Sequence, residues 1–169
     1  VTHMPPERRL RQGLGDLLEA SPDRQPELTW EGWRLRRHQG RLWLLESGGP
    51  RLVPATWNGR EPLPWGGRQL MAKPAEGQGI RPDCWPLQVR PRAGGERVAA
   101  ADGRPGKSLK HWLQERGLPP WERERLPLLW QGKTLVAVGT LWVAPPFRAA
   151  KGETGYRLCW ESTGGVDAV

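Results

Sequence analysis

Lys107, Lys110, His111 and Arg116 fall within ten residues that begin after a basic, Gly/Pro-punctuated stretch and end at the corner Pro119-Pro120-Trp121. Arg92, Arg97 and Arg104 precede them in Gly-rich turns, and Arg123 and Arg125 follow in the charged turn 122–125. Guanidinium forks and lysine ammoniums carried on turns reach a phosphate backbone easily, and so do the backbone N–H groups beside them. Gly94, Gly95, Gly103 and Gly106 let the chain lie close to such a group, although ordinary turn chemistry also uses glycine. From Arg90 to Arg125 there are nine Lys/Arg against five Asp/Glu. The chemistry on offer is an electrostatic grip on a polyanion. A solvated helix face would carry the same residue types, and the spacing alone leaves both readings open.

Bond-making chemistry finds no such constellation. His3, His38 and His111 are scattered, and there is no HxxxH, no paired-carboxylate cluster and no GxSxG. Cys84 and Cys159 lack CxxC spacing, which makes neither a disulfide framework nor a zinc site and fits two reduced thiols. Ser162-Thr163-Gly164-Gly165-Val166-Asp167 looks like the SGGxDS loop of ATP pyrophosphatases. That loop needs a helix after it to present N–H groups to phosphate. Thr163 and Ala168 break the pattern and no helix follows, so no nucleotide site is expected there. Trp121 is expected to close a helix–strand corner over Trp112, Leu118 and Leu128 and not to stack on a base.

Composition sets the frame for these residues. The 169 residues suit one domain or two small ones. Glycine and proline number 22 and 18, which implies many turns and short elements, and Trp supplies 11 of the 13 aromatics, so small cores should be anchored on indoles. Net charge is +8 and the isoelectric point about 10.5, as suits a nucleic acid or an anionic membrane. Arg outnumbers Lys 21 to 5 and Ile occurs only at Ile80, the imprint of GC-rich coding, so charge by itself does not decide the partner. No apolar run approaches the ~18 residues that span a bilayer, and no signal-peptide pattern is present. Because the chain opens Val1-Thr2-His3-Met4, it reads as a piece of something longer.

The elements that must position the cations are α+β in kind. Leu10, Leu14, Leu17 and Leu18 lie at helical spacing within 5–20, where Gly13 and Gly15 weaken the helix so that it needs a partner surface. Alternation over 28–37 and 41–45 about His38-Gln39-Gly40 predicts a β-hairpin. Weaker strands are expected near 52–57 and 68–72. The Pro/Gly/charged stretch 73–83 reads as a linker. A strand over 85–90, a helix over 106–116 ended by Gly117, Pro119 and Pro120, and strands near 127–131, 134–143 and 155–161 follow. Two small modules result: a helix plus β-rich one over 1–72, and an α+β one over 84–163 with a mixed or antiparallel sheet, leaving 164–169 as a tail.

The stretch GRPGKSLKHWLQERGLPPWERERLPLLWQGKTLVAVGTLWV resembles the C-terminal domain of the bacterial tRNA(Ile)-lysidine synthetases over about 40 residues almost without a gap. WPLQVRPRAGGERV and the LRRHQGRLW hairpin extend the resemblance over most of 5–161, and it is weak in 47–83. The resemblance implies that 1–72 is the C-terminal part of a middle, substrate-binding domain and 84–163 a domain that binds the tRNA acceptor stem. It also implies a parent enzyme that uses ATP with magnesium to adenylate C2 of the wobble cytidine of tRNA(Ile), after which lysine displaces AMP to give lysidine. The stretch in hand would hold no catalytic residue and no cofactor. Its partners would be the tRNA(Ile) acceptor stem and body and the parent's N-terminal catalytic domain, in the cytoplasm and away from membranes. Arg92, Arg97, Lys107, Lys110, Arg123 and Arg125 are then the expected phosphate or stem contacts. A stand-alone RNA-binding module and a structural or interaction domain with compositional charge are the competing readings.

Overall fold

The computed structural model describes residues 7–21, 24, 26–49, 51–99 and 106–161. Arg104, Gly103, the Val1–Met4 start and the 162–167 loop lie outside them. The chain forms two compact units, Val1–Gly49 and Pro50–Val169.

In the first unit, helix α1 (Glu7–Glu19) precedes an antiparallel meander of β1 (Glu27–Trp30), β2 (Trp33–His38) and β3 (Arg41–Glu46). The expected run 28–37 is broken by a two-residue turn at Glu31-Gly32, where both φ angles are positive (35° and 87°). Gln39-Gly40 repeats that geometry at the next turn, with φ of 49° and 75°. Such turns match the right-handed twist of the strands they join. Gly13 has a packing reason: a Cβ there would lie 2.6 Å from Leu28 Cδ1, so the glycine admits a β1 leucine against the helix. Arg37 donates to the carbonyls of Leu17 and Leu18 and so satisfies orphan acceptors at the end of α1.

The second unit adds β4 (Ala55–Trp57), β5 (Leu63–Trp65), β6 (Arg68–Glu76), β7 (Leu87–Arg90), β8 (Arg97–Val98) and β9 (Lys107–Ser108). Helices α2 (Leu109–Glu115) and α3 (Pro120–Arg125) follow, then β10 (Leu128–Gln131), β11 (Thr134–Val138), β12 (Trp142–Val143) and β13 (Thr154–Glu161). A central sheet runs β12-β11-β10-β7-β4, a second β13-β6-β5, and β8-β9 form a ribbon. Every pairing is antiparallel, so the α+β architecture has antiparallel sheets throughout.

Two cores flank the central sheet. Leu87, Val89, Leu129, Val136 and Ala137 join Trp57, Trp65, Leu70, Ile80 and Leu158 in the larger one, which takes in side chains of both sheets. Leu128, Leu135 and Val138 pack with Val98, Leu109, Leu113 and Leu126 in the smaller, which takes in α2. The near-continuous apolar run of β11 is explained by this double-sided burial.

Three expectations are corrected. Residues 73–83 are not a linker: Lys73 to Glu76 continue β6 against β13, Ile80 is fully buried, and Ile80 and Tyr156 exchange backbone hydrogen bonds of 2.9 and 2.8 Å. Backbone pairing of this kind leaves little mark on side-chain composition, and the units divide instead at 49/50. The helix expected over 106–116 starts at Leu109, because Lys107 and Ser108 pair with Val98 and Arg97. The turn expected at 122–125 belongs to α3, with Pro120 in its first turn, where a missing N–H costs nothing.

Gly79 tests this architecture. Its φ is +79° and a Cβ would sit 2.2 Å from the Tyr156 carbonyl oxygen. Gly79→Ala should lose about 1–3 kcal/mol in denaturant unfolding, where an unchanged midpoint would contradict the close approach. Limited trypsin digestion should cut first at the exposed Arg51, next to the 49/50 division, and only later at Arg68 within β6, as peptide sequencing of the fragments would read.

Candidate nucleic-acid interface

The turn after β7 is organised by Glu96. Its carboxylate accepts from the N–H groups of Ala93 (2.6 Å) and Gly94 (2.9 Å) and lies 3.9 Å from Arg92 Nε. Its own carbonyl accepts from Leu109 N–H (2.8 Å), the first residue of α2. One glutamate thus shapes the loop and anchors the helix start, where Ser108 provides no side-chain cap. Partial burial works to raise the Glu96 carboxyl, but the N–H groups of Ala93, Gly94 and Glu96 itself, with Arg92, together hold it below the usual carboxylate range.

Arg92 and Arg123 are brought together from distant parts of the chain. Burial lowers the Arg123 guanidinium from its ordinary value, and the neighbouring Arg92 charge lowers it further. Arg123 Nε also donates to the Leu118 carbonyl, which ties α3 to the corner before it. The Arg92 side chain is 16% exposed, so this pair of cations is more enclosed than a surface turn suggests.

The remaining expected contacts separate into committed and available groups. Lys107 Nζ contacts both Glu115 carboxylate oxygens at 3.1 Å. Arg97 is exposed and donates to the Gly106 carbonyl. In the ribbon Arg97 faces Ser108 and Lys107 faces Val98, which sends the two cations to opposite faces. Lys110 is exposed on α2, which buries Leu109 and Leu113. Arg125 is half-buried, and its carbonyl accepts from the Trp65 indole at 2.8 Å. Trp121 is buried, so it offers no stacking surface.

Two further cations gain definition from indoles. The Arg116 guanidinium lies 3.9 Å from the Trp112 ring centroid, and Arg90 lies 5.9 Å from that of Trp130. Burial alternation in β7 leaves Gln88 and Arg90 exposed beside buried Leu87 and Val89, so the Arg90 position was available from the period-two pattern. The Arg116–Trp112 contact follows from i, i+4 spacing on α2. Burial pushes the Cys84 thiol up against the opposing hydrogen bond to Arg81, which keeps it a poor nucleophile. Among the described residues no group of three or more His, Cys, Asp or Glu is placed to hold a metal ion, and no helix is long and apolar enough to cross a membrane.

Against this geometry, the comparisons with known proteins agree with one another. Residues 2–43 match the family described as the TilS substrate binding domain, and residues 87–160 match the TilS substrate C-terminal domain. The chain is 40% identical over 166 residues to the tRNA(Ile)-lysidine synthase of Alkalilimnicola ehrlichii, a match that covers 95% of this chain and 37% of that protein. It is 37% identical over 154 residues to the enzyme of that name from Xanthomonas campestris pv. campestris, with 87% and 34% covered. With that of Ralstonia nicotianae it shares 33% over 178 residues, with 96% and 38% covered. The chain spans little more than a third of the length of these curated relatives.

Glu96 supplies a pH test of the turn. Its folded pKa is depressed, so its contribution to stability is present above the unfolded value and is lost as pH falls through the folded value. Glu96→Gln should cost about 1–3 kcal/mol near neutral pH. Between about pH 5 and about pH 3 the parent should lose melting temperature more steeply than the variant. Parallel melting curves over that range would show that the carboxylate does not organise the turn.

Proposed function

The chain belongs to the tRNA(Ile)-lysidine synthase family, and on that premise we propose that it is the tRNA-gripping part of such an enzyme. The observation that carries this reading is the pairing of Arg92 from the 90–97 turn with Arg123 of α3, inside the region matched as a substrate C-terminal domain. The parent reaction would adenylate C2 of the wobble cytidine of tRNA(Ile) with ATP and magnesium, and lysine would displace AMP. ATP and magnesium would be held by the parent's N-terminal catalytic domain. Cytoplasmic residence goes with that substrate.

The work of this chain is binding and orientation. Phosphates supply most of the affinity for an RNA stem, and the shallow minor groove of an A-form helix supplies what sequence can be read. Exposed Lys110 and Arg97 would meet phosphates directly. Lys107 would exchange its Glu115 partner for one. The adjacent Arg92 and Arg123 would lose their mutual repulsion when an anion approaches both, and Arg125 would offer a separate contact on the side of α3 that faces Trp65, Arg68 and Trp160. Holding the acceptor stem at this end would present the anticodon loop to a distant catalytic site, which is the geometric task of a gripping domain.

Fluorescence-anisotropy titrations with tRNA(Ile) and tRNA(Met) at several salt concentrations test this function. Arg97→Ala with Lys110→Ala should weaken binding and reduce the salt slope by about 0.7–0.9 per lost charge, while melting unchanged. Loss of the preference for tRNA(Ile) would mark these side chains as stem readers. No binding of either tRNA by the parent chain would favour a structural domain, and equal binding of both a general RNA module.

A further inference from the structure

Three arginines outside the expected contact stretch or at its end bound a second feature. Arg116, Arg148 and Arg157 line a cavity of about 410 Å³ together with Trp142, Thr140 and the glycine-rich corner 77–79. No aspartate or glutamate is among the described residues lining it. Each guanidinium is held differently. Arg116 lies over Trp112 at 3.9 Å, and Arg148 Nε donates to the Val143 carbonyl at 2.7 Å. Arg157 sits in β13 directly opposite Lys73 of β6, both exposed.

That last pairing is unfavourable as it stands. Like charges directly opposite across an antiparallel pair destabilise the sheet, and alternation along both strands offers many ways to avoid them. Three arginines thus line one hollow, and a lysine stands opposite the third. We propose that this cavity binds a phosphate group of the RNA backbone, as a second anchoring point beyond the Arg92–Arg123 pair. Guanidinium forks match phosphate oxygens bidentately. The hollow is larger than a lone phosphate requires, and Trp142 gives it an aromatic wall against which a neighbouring ribose or base can lie. Arg116 belongs to this cavity and is the residue that follows α2, so a single strand of backbone could pass from one anchoring region to the other.

The inference rests on the tRNA-binding reading for the source of the phosphate, and two measurements on the full chain separate them. In salt-dependent anisotropy titrations with tRNA(Ile), Arg148→Gln with Arg157→Gln should weaken binding and lower the salt slope by about 1.4–1.8, at 0.7–0.9 per charge. Unchanged affinity and slope, with the parent still binding, overturn the proposal. In the second arm, inorganic phosphate is titrated while the backbone amides of Gly77, Gly79 and Gly139 are followed by NMR. Saturable shifts that vanish in the double variant support the site. Shifts without any effect on tRNA binding mark a free-anion site and overturn the RNA assignment. If the parent binds no tRNA, the functional reading fails, and absence of phosphate shifts then removes the cavity as well. Arg157→Gln alone controls for folding, because removing one of two opposed cations should leave the melting temperature equal or higher.

Discussion

The second unit depends on a strand that has no face left for water. Leu135 to Val138 of β11 are all buried, because one set of side chains enters the core shared with the β13-β6-β5 sheet and the other the core beneath α2. Once the middle of a sheet is covered on both sides, charge can be placed only at its ends, edges and loops. That constraint sorts the arginines of the second unit. They occupy the turn after β7, the ribbon, the helix ends and the outer strand β13, and among the described residues none is buried.

How much of this was legible in the sequence follows from what each interaction leaves in residue types. The hairpin about Gln39-Gly40 and the amphipathic face of Leu109, Trp112 and Leu113 are written in period and punctuation, and both were readable. The family resemblance carried by LPPW and its flanks lies within residues 87–160, the stretch matched as a substrate C-terminal domain. Pairing between backbones was not readable. The 73–83 segment contributes Lys73, Pro74 and Glu76 to a strand through main-chain hydrogen bonds, and its only large apolar side chain is Ile80. Composition there described the outward side chains and missed the ladder.

The cations divide in a way that sequence could not anticipate. Turn position predicted Arg92 and Arg123 as available, yet both are partly enclosed and one is bonded to a carbonyl. Lys107 is matched by Glu115 eight residues later, a contact made possible because the ribbon turns directly into α2. Conversely, Arg157 belongs to an expected strand and Arg148 to the stretch between two expected strands, and only the folding of 77–79 beside 139–143 and 157 brings them to one cavity. Local spacing could count the positive charges. Long-range topology decides which of them stay free.

The pairing of β6 with β13 has a consequence for synthesis. Eight consecutive residue pairs join Gln69–Glu76 to Thr154–Glu161, across more than seventy intervening residues. On a ribosome, β6 would emerge with one edge matched only by the short β5 and would wait for nearly the whole of the unit to be made. Closing so large a loop is slow, and an unpaired strand edge is a template for the wrong neighbour in the meantime. Lys73, Pro74 and Glu76 are residues that discourage such premature association, so the polar character that disguised this strand as a linker would also protect it while its partner is still unmade.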